Sequence, residues 1–297
     1  MDVGAVPARA GFTPSAGHAS PAVRILLALR DMSGQSNNTG LEEARSVQLF
    51  WADLDETADE LAPLESGMAS DELRRARRFR EVRLRSRWMA ARALLRHLLS
   101  LELDRDPGDV RLQTTDRGKP YLPGNELAFN LSHSGPHLVI ALAPLGRVGV
   151  DVECIRPLPE LTPLVERHFT RAEADMILSA TRSAPSGSGC PESDFPADPP
   201  EDDGVLRAFF RTWVRKEALL KAVGLGISAP LDRFQVAVAP DPSHQTNLLL
   251  HNELPGEEEV PWQVRSIAAP FGAVAAVAWD TPGLTLVQKS LQVERST

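Results

Sequence analysis

The feature that most constrains the fold of this chain is a weak internal repeat. The segment from Trp88 to Arg96 aligns with the segment from Trp213 to Lys221, with a Trp, an Ala and two Leu matching and a cation closing each copy. Further on, residues 130–143 align with residues 265–278. A helix and a hairpin in each copy predict an α+β fold of two similar α/β halves, with a ligand site in the cleft between them. The alternative is a chance similarity between two amphipathic helices.

Composition narrows the class of protein. A hydrophobic content of 42% in 297 residues is enough for a core, and the net charge of −8 argues against a nucleic-acid-binding protein. No apolar run reaches the roughly 18 residues that would span a membrane. The two cysteines, Cys154 and Cys190, give neither a disulfide framework nor a metal-ligand spacing, which favours a cytoplasmic location.

Charge is distributed unevenly along the chain. Ten arginines and a single acid, Glu81, lie between Arg74 and Arg96, whereas residues 184–204 hold six acids and no base. A local basic patch in an acidic protein predicts a compact anionic ligand. A solvated helix face that carries arginines remains the alternative.

The chain divides into five predicted segments. They are a disordered leader over residues 1–45, an N-terminal half over 46–147, a C-terminal half over 148–285, a mobile acidic insertion over 183–204 within that half, and a tail over 286–297. The periodicity predicts strands over 47–52, 127–130, 137–142, 147–155, 264–267 and 273–279, and helices within 71–99 and over 205–223. Thr170 and Glu173 have the form of a capping box that opens another helix.

The first candidate site is the strand sequence Val-Gly-Val-Asp-Val-Glu, residues 148–153. Residues two apart in a strand point the same way, so Asp151 and Glu153 share one face. Paired carboxylates repel one another unless a cation or a proton lies between them, and their hard oxygens suit Mg²⁺. Two acids on an exposed strand edge are the alternative.

The second and third candidates are also short. Glu217 and Lys221 lie four residues apart, so one helix face would present both, either to a metal and a phosphate or as a surface ion pair. The sequence Phe-Asn-Leu-Ser-His-Ser, residues 129–134, is predicted to place Ser132 and His133 in a donor-rich turn. Adjacent Ser and His do not face each other as a hydrolase triad requires, and no Gly-x-Ser-x-Gly occurs.

Taken in order, these motifs resemble one known family. Gly-Lys-Pro (118–120), Phe-Asn-x-Ser-His-Ser, Val-Gly-Val-Asp-Val-Glu and Trp-x-x-Lys-Glu-Ala-x-x-Lys (213–221) closely resemble the Sfp-type 4′-phosphopantetheinyl transferases over roughly residues 47–280. The resemblance implies two similar halves in a pseudo-twofold arrangement, a monomeric active unit, and coenzyme A bound between the halves. It also implies apo acyl or peptidyl carrier proteins as partners, in polyketide, nonribosomal peptide or fatty acid biosynthesis, without nucleic acid or membrane.

The resemblance also implies roles for individual residues. Asp151, Glu153 and Glu217 correspond to Mg²⁺ ligands, and Asp151, Glu217 and Lys221 to the catalytic group, with Lys221 on the pyrophosphate. The implied contacts to the nucleotide and its phosphates are Arg75, Arg87, Lys119, Ser132 and His133. Glu72 stands where the family has a lysine, which predicts one missing phosphate contact.

The implied reaction is attack of a serine hydroxyl on the β-phosphorus of coenzyme A, with release of 3′,5′-ADP. Mg²⁺ would act as a Lewis acid, and Glu217 is the candidate base, directly or through water. A non-catalytic coenzyme A- or nucleotide-binding module is the main alternative, although it has no need of three carboxylates. A Mg²⁺-dependent phosphotransferase using ATP is a second, weakened because no Gly-x-x-x-x-Gly-Lys-Ser/Thr loop occurs.

Overall fold

The structure of this protein is a computed structural model. It describes residues 30–31, 45–58, 68–124, 127–180, 204–226, 229–241 and 243–291. Most of the predicted leader and all of the predicted insertion except Gly204 lie outside the described residues. No helix in the described part of the chain is long and apolar enough to cross a membrane.

The described chain alternates helices and strands. The strands are β1 (Arg30–Asp31), β2 (Ser46–Asp53), β3 (Gln113–Thr114), β4 (Pro120–Tyr121), β5 (Ala128–Ser134), β6 (His137–Ala143), β7 (Val148–Cys154), β8 (Phe234–Val236), β9 (Leu249–Asn252), β10 (Gln263–Ile267), β11 (Ala273–Trp279) and β12 (Thr285–Ser290). The α-helices are α1 (Leu54–Ala58), α2 (Ser70–Ala76), α3 (Val82–Leu103), α4 (Leu161–His168), α5 (Arg171–Leu178) and α6 (Gly204–Val223).

Two sheets form the framework. The larger has the order β1-β12-β2-β6-β5 and the smaller the order β10-β11-β7. Neighbouring strands are antiparallel, except that β12 runs parallel to β2. Residues 286–290, which the sequence assigned to a tail, therefore belong to a strand of the N-terminal sheet.

The side-chain alternation of the strands sets the layers. Phe50 and Ile140 face α3, whereas Leu49 and Val139, one residue away, face the smaller sheet. The valines of β7 face back toward the larger sheet, and α6 covers the opposite face of the smaller one. The order of layers is therefore helix α3, large sheet, small sheet, helix α6.

Gly149 explains how closely α6 approaches β7. A Cβ atom at this position would overlap the carbonyl oxygen of Ala218 and the backbone nitrogen of Ala222. Only glycine lets the helix backbone lie against the strand here. The close approach brings the functional face of α6 next to the acidic residues of β7.

The structure confirms a mixed α+β fold in which each half carries a long helix on its sheet. The Thr170 capping box is present, since the Thr170 side chain accepts a hydrogen bond from the Glu173 backbone and the Glu173 side chain accepts one from the Thr170 backbone. Gly224, with φ of +86°, follows the last residue of α6 as predicted. The pseudo-twofold relation between the halves stays a prediction.

Candidate active site

The adjoining edges of the two sheets, β5 and β7, are joined by side chains. The amide oxygen of Asn130 accepts a hydrogen bond from the Val150 backbone at 3.0 Å. Ser132 Oγ donates to Asp151 Oδ1 at 2.8 Å, and Ser134 Oγ donates to Glu153 Oε2 at 2.8 Å. The alternate polar residues of β5 thus hold the acidic strand in place.

The prediction that Ser132 and His133 lie in a turn was wrong. Strand β5 continues through Ser134, and the turn consists of Gly135 and Pro136. The strand persists because it has two different faces. Phe129 and Leu131 pack toward α3, while the serines hydrogen-bond to β7 on the other side.

The paired carboxylates lie on the face of β7 that α6 covers. Asp151 is only 3% exposed. Lys221 on α6 places its Nζ 2.6 Å from Asp151 Oδ1 and 2.8 Å from Ser132 Oγ. The predicted common face of Asp151 and Glu153 is therefore correct in the sense that both line one cavity with Glu217.

The carboxylates perturb one another in this buried setting. Burial and the charges of Asp151 and Glu153 raise the pKa of Glu217 to about 7, and Lys221 opposes the shift. Burial and Asp151 also raise the pKa of Glu153, against the opposing effects of Ser134, Arg156 and Lys221. A carboxyl group that titrates near neutrality inside a cleft is a frequent mark of a functional site.

Two buried carboxylate oxygens lack a partner in the described residues. They are Asp151 Oδ2 and Glu217 Oε1. No three His, Cys, Asp or Glu side chains of the described chain already converge as a metal centre. The unpartnered oxygens nevertheless belong to a set of hard oxygen donors with excess negative charge, so the residues present fit a divalent cation such as Mg²⁺.

The cavity beside these carboxylates has a volume of about 380 Å³. The predicted site residues among those lining it are Lys119, Ser132, His133, Asp151, Glu153, Glu217 and Lys221. Arg117 and Trp213 line it as well, although the sequence analysis gave neither of them a role. Their positions next to Gly-Lys-Pro and at the start of the α6 motif were the available signal.

Lys119 contacts backbone around the cavity. Its Nζ donates to the carbonyl oxygens of Ala222 at 2.8 Å and Val148 at 3.2 Å. Burial lowers its pKa to about 8, with Arg147 adding to the shift and Asp280 opposing it. Lys119 therefore ties its loop to both β7 and the end of α6.

His133 and Arg87 lie on the α3 side of β5. Desolvation in the cleft and the charges of Lys221 and Arg87 lower the pKa of His133, which favours the neutral imidazole. Arg87 is 2% exposed and does not line the cavity. Its Nε and one terminal nitrogen each donate to an Asp55 oxygen at 2.7 Å, and these bonds hold the pKa of Asp55 well below its usual range.

Arg75 lies apart from the other predicted site residues. It is exposed on α2, and its guanidinium carbon is 5.5 Å from the centre of the Trp88 ring. Together with Arg74 and Arg78 it lines a second cavity of about 580 Å³. The structure thus separates Arg75 from the carboxylate cavity.

Glu72 has a structural role that the sequence analysis missed. It is buried and forms ion pairs of 2.6 Å with both Arg92 and Arg96, and it also accepts a hydrogen bond from the backbone of Ala69. These contacts fix α2 against α3. Four of the ten clustered arginines thus pair with Asp55 or Glu72 within the fold: Arg83, Arg87, Arg92 and Arg96.

Comparison with known proteins identifies the family. Residues 147–277 match the 4′-phosphopantetheinyl transferase superfamily, and residues 55–145 match the N-terminal region of 4′-phosphopantetheinyl transferases. The chain is 35% identical over 198 residues to the 4′-phosphopantetheinyl transferase HetI of Nostoc sp., which covers 65% of this chain and 75% of HetI.

Two further relatives are eukaryotic. A phosphopantetheinyl transferase of Thraustochytrium sp. is 35% identical over 194 residues, or 62% of this chain and 60% of that protein. The human L-aminoadipate-semialdehyde dehydrogenase-phosphopantetheinyl transferase is 28% identical over 211 residues, or 65% of this chain and 61% of that protein. The chain therefore spans about three fifths of these two relatives. With the two family matches covering both halves, the chain belongs to the 4′-phosphopantetheinyl transferase superfamily, and its activity is that of a phosphopantetheinyl transferase.

Proposed function

We propose that the cavity binds the pyrophosphate of coenzyme A together with Mg²⁺, and that the protein transfers 4′-phosphopantetheine to a serine of an apo acyl or peptidyl carrier protein. The observation that carries this proposal is the group of three carboxylates that line one cavity with Lys221. A buried excess of negative charge is costly unless a cation joins it. A pyrophosphate with its metal supplies that cation and an anion for Lys221.

Asp151, Glu153 and Glu217 would hold the metal. The unpartnered Oδ2 of Asp151 and Oε1 of Glu217 support this assignment. When bound, Mg²⁺ would neutralise charge on the pyrophosphate and act as a Lewis acid toward it. Lys221 would offset negative charge on the departing phosphate.

Glu217 is the proposed base, directly or through a water molecule. Its pKa of about 7 suits proton transfer at neutral pH, because a base works best when its pKa is near the operating pH. It would take the proton of the carrier serine as the serine oxygen bonds to the β-phosphorus. The bond from that phosphorus to the bridging oxygen breaks, and 3′,5′-ADP leaves with the bridging oxygen.

The nucleotide would extend from the carboxylates toward His133. Ser132 and His133 line the cavity and would contact the nucleotide. Lys119 would support that wall through its backbone contacts. Arg87 and Arg75 stay proposed phosphate contacts, with Arg87 acting from behind His133 and Arg75 from the neighbouring arginine cavity. The cytoplasmic location, the monomeric unit and the biosynthetic pathway are likewise predictions.

The direct test uses the full chain with coenzyme A, Mg²⁺ and several apo carrier proteins. Mass spectrometry of the carrier should show the added phosphopantetheine on its serine. Excess EDTA should stop the reaction, and Mg²⁺ added beyond the chelator should restore it. Full transfer in excess chelator would contradict the metal assignment while leaving the transfer itself intact.

A further inference from the structure

Each carboxylate of β7 has one oxygen held by two donors. Glu153 Oε2 accepts hydrogen bonds from Ser134 Oγ at 2.8 Å and from an Arg156 terminal nitrogen at 3.2 Å. Asp151 Oδ1 is held in the same way by Ser132 and Lys221. The two acids therefore share a pattern in which one oxygen is occupied within the protein.

The second oxygen of each acid has no such partner. Asp151 Oδ2 is buried without a hydrogen bond, and Glu153 Oε1 makes none with any described residue. A carboxylate whose other oxygen is held by two donors is hindered from turning both oxygens toward one ion. Asp151 and Glu153 thus offer one oxygen each.

Ser134 is itself firmly placed. Its Oγ accepts a hydrogen bond from the Cys154 backbone at 3.1 Å, and its carbonyl oxygen lies 3.3 Å from the Cys154 thiol. Its backbone pairs with His137 at the last position of the β5–β6 ladder. The hydroxyl that holds Glu153 is therefore anchored to the strand that carries Glu153.

The geometry points to Ser134 as a positioning residue that restricts Glu153 to one metal-facing oxygen and so makes the site prefer Mg²⁺ to Ca²⁺. Mg²⁺ requires a compact octahedron, whereas Ca²⁺ accepts six to eight ligands and readily takes bidentate carboxylates. A site of single oxygens suits the smaller ion. This inference rests on the proposed metal-dependent function.

The test compares the wild type with Ser134→Ala and Ser134→Thr in the full chain. Bound Mn²⁺ is followed by electron paramagnetic resonance and is displaced with Mg²⁺ or with Ca²⁺, with and without coenzyme A. Loss of a residue that orients a metal ligand typically lowers affinity about 10- to 100-fold. We expect Ser134→Ala to lose about tenfold in preference for Mg²⁺ over Ca²⁺, because Glu153 becomes able to chelate, and Ser134→Thr to keep the wild-type ratio.

Arg156→Gln provides a second, independent variant. It removes the other donor to Glu153 Oε2 and should shift the ratio in the same direction by a smaller factor. If Ser134→Ala does not fold, the ratio in Arg156→Gln decides the question, and an unchanged ratio there overturns the inference.

The outcomes separate this inference from the proposed function. A wild type that binds no Mn²⁺ would remove the metal site itself. A wild type that binds Mn²⁺, with Ser134→Ala unchanged or weakened equally for both ions, would leave the proposed function standing and overturn the role of Ser134 in ion preference.

Discussion

Two neighbouring residues of α6, Lys216 and Glu217, are both buried, but their surroundings differ. Lys216 is 0% exposed and forms an ion pair of 2.8 Å with Glu173, which is also 0% exposed. Its Nζ also donates to the carbonyl oxygens of Leu231 and Phe234 at 2.7 and 2.6 Å. Glu217 has an unpartnered Oε1 and two other carboxylates beside it.

The difference indicates what each charge is for. The Lys216–Glu173 pair satisfies its charges within the protein, so it ties α6 to α5 and the β8 region. The Glu217 cluster leaves negative charge unmatched, which lowers the stability of the folded protein and is useful only when a ligand supplies the missing cation. The first region should control stability, and the second should control catalysis.

The largest expected effect is the loss of catalysis when the unmatched cluster is altered. Glu217→Gln should lower kcat/KM for transfer by about 10²- to 10⁴-fold, the usual contribution of a positioned base. The metal-free protein should remain as stable as the wild type or become more stable. Steady-state kinetics and urea unfolding measure the two effects, and unaltered kinetics would remove Glu217 from the mechanism.

Altering the satisfied pair should have the opposite profile. Lys216→Met leaves Glu173 buried without its partner and should destabilise the protein by about 3–5 kcal/mol. The double variant Glu173→Gln, Lys216→Met removes both charges and should recover part of this loss. Urea unfolding of both variants provides the measurement, and a Lys216→Met protein of wild-type stability would contradict the assignment.

The pH dependence of stability should also separate the two regions. In the metal-free protein the pKa of Glu217 is raised from 4.5 to about 7, so the folded state keeps a proton that the unfolded state has lost between these pH values. Stability should therefore fall by up to about 3 kcal/mol as the pH rises through this window. Glu217→Gln should remove this decline.

The matched control for the pH experiment is Glu253→Gln, because Glu253 is exposed beside His251. Denaturation curves in EDTA at several pH values should show the wild-type decline in this variant. The same decline in Glu217→Gln would mean that another group causes it.

The smallest expected effect concerns the nucleotide end of the cleft. His133→Ala should raise KM for coenzyme A by roughly tenfold with little change for the carrier protein, because it removes one contact to a charged group. The check repeats the assay with 3′-dephospho-coenzyme A. If both proteins lose the same factor on changing substrate, His133 does not contact the 3′-phosphate.

Local patterns predicted much of the fold. Alternation over residues 148–154 placed β7 and put Asp151 and Glu153 on one face, and the spacing of apolar residues after Trp88 placed α3. These patterns work because strand and helix periodicities depend on neighbours in sequence. The pairing of Gln263–Ile267 with Ala273–Trp279 followed from the same signal.

The failures involve partners that are distant in sequence. Ser132 and Ser134 are typical of a turn, yet both bond to residues 19 positions later, on a different sheet. Glu72 looked like a missing phosphate contact, but it pairs with arginines one helix away. A short pattern does not show which distant group will satisfy a polar side chain, so tertiary pairing decided these positions.

The most direct test of the central claim measures how Mg²⁺ and coenzyme A together affect stability. A ligand that binds only the folded state at 100 times its Kd adds about 2.7 kcal/mol to the free energy of unfolding. The account predicts a gain of this order for the wild type at saturating Mg²⁺ and coenzyme A, and a much smaller gain for Glu217→Gln. An equal gain in both proteins would show that the unmatched carboxylate does not receive the cation.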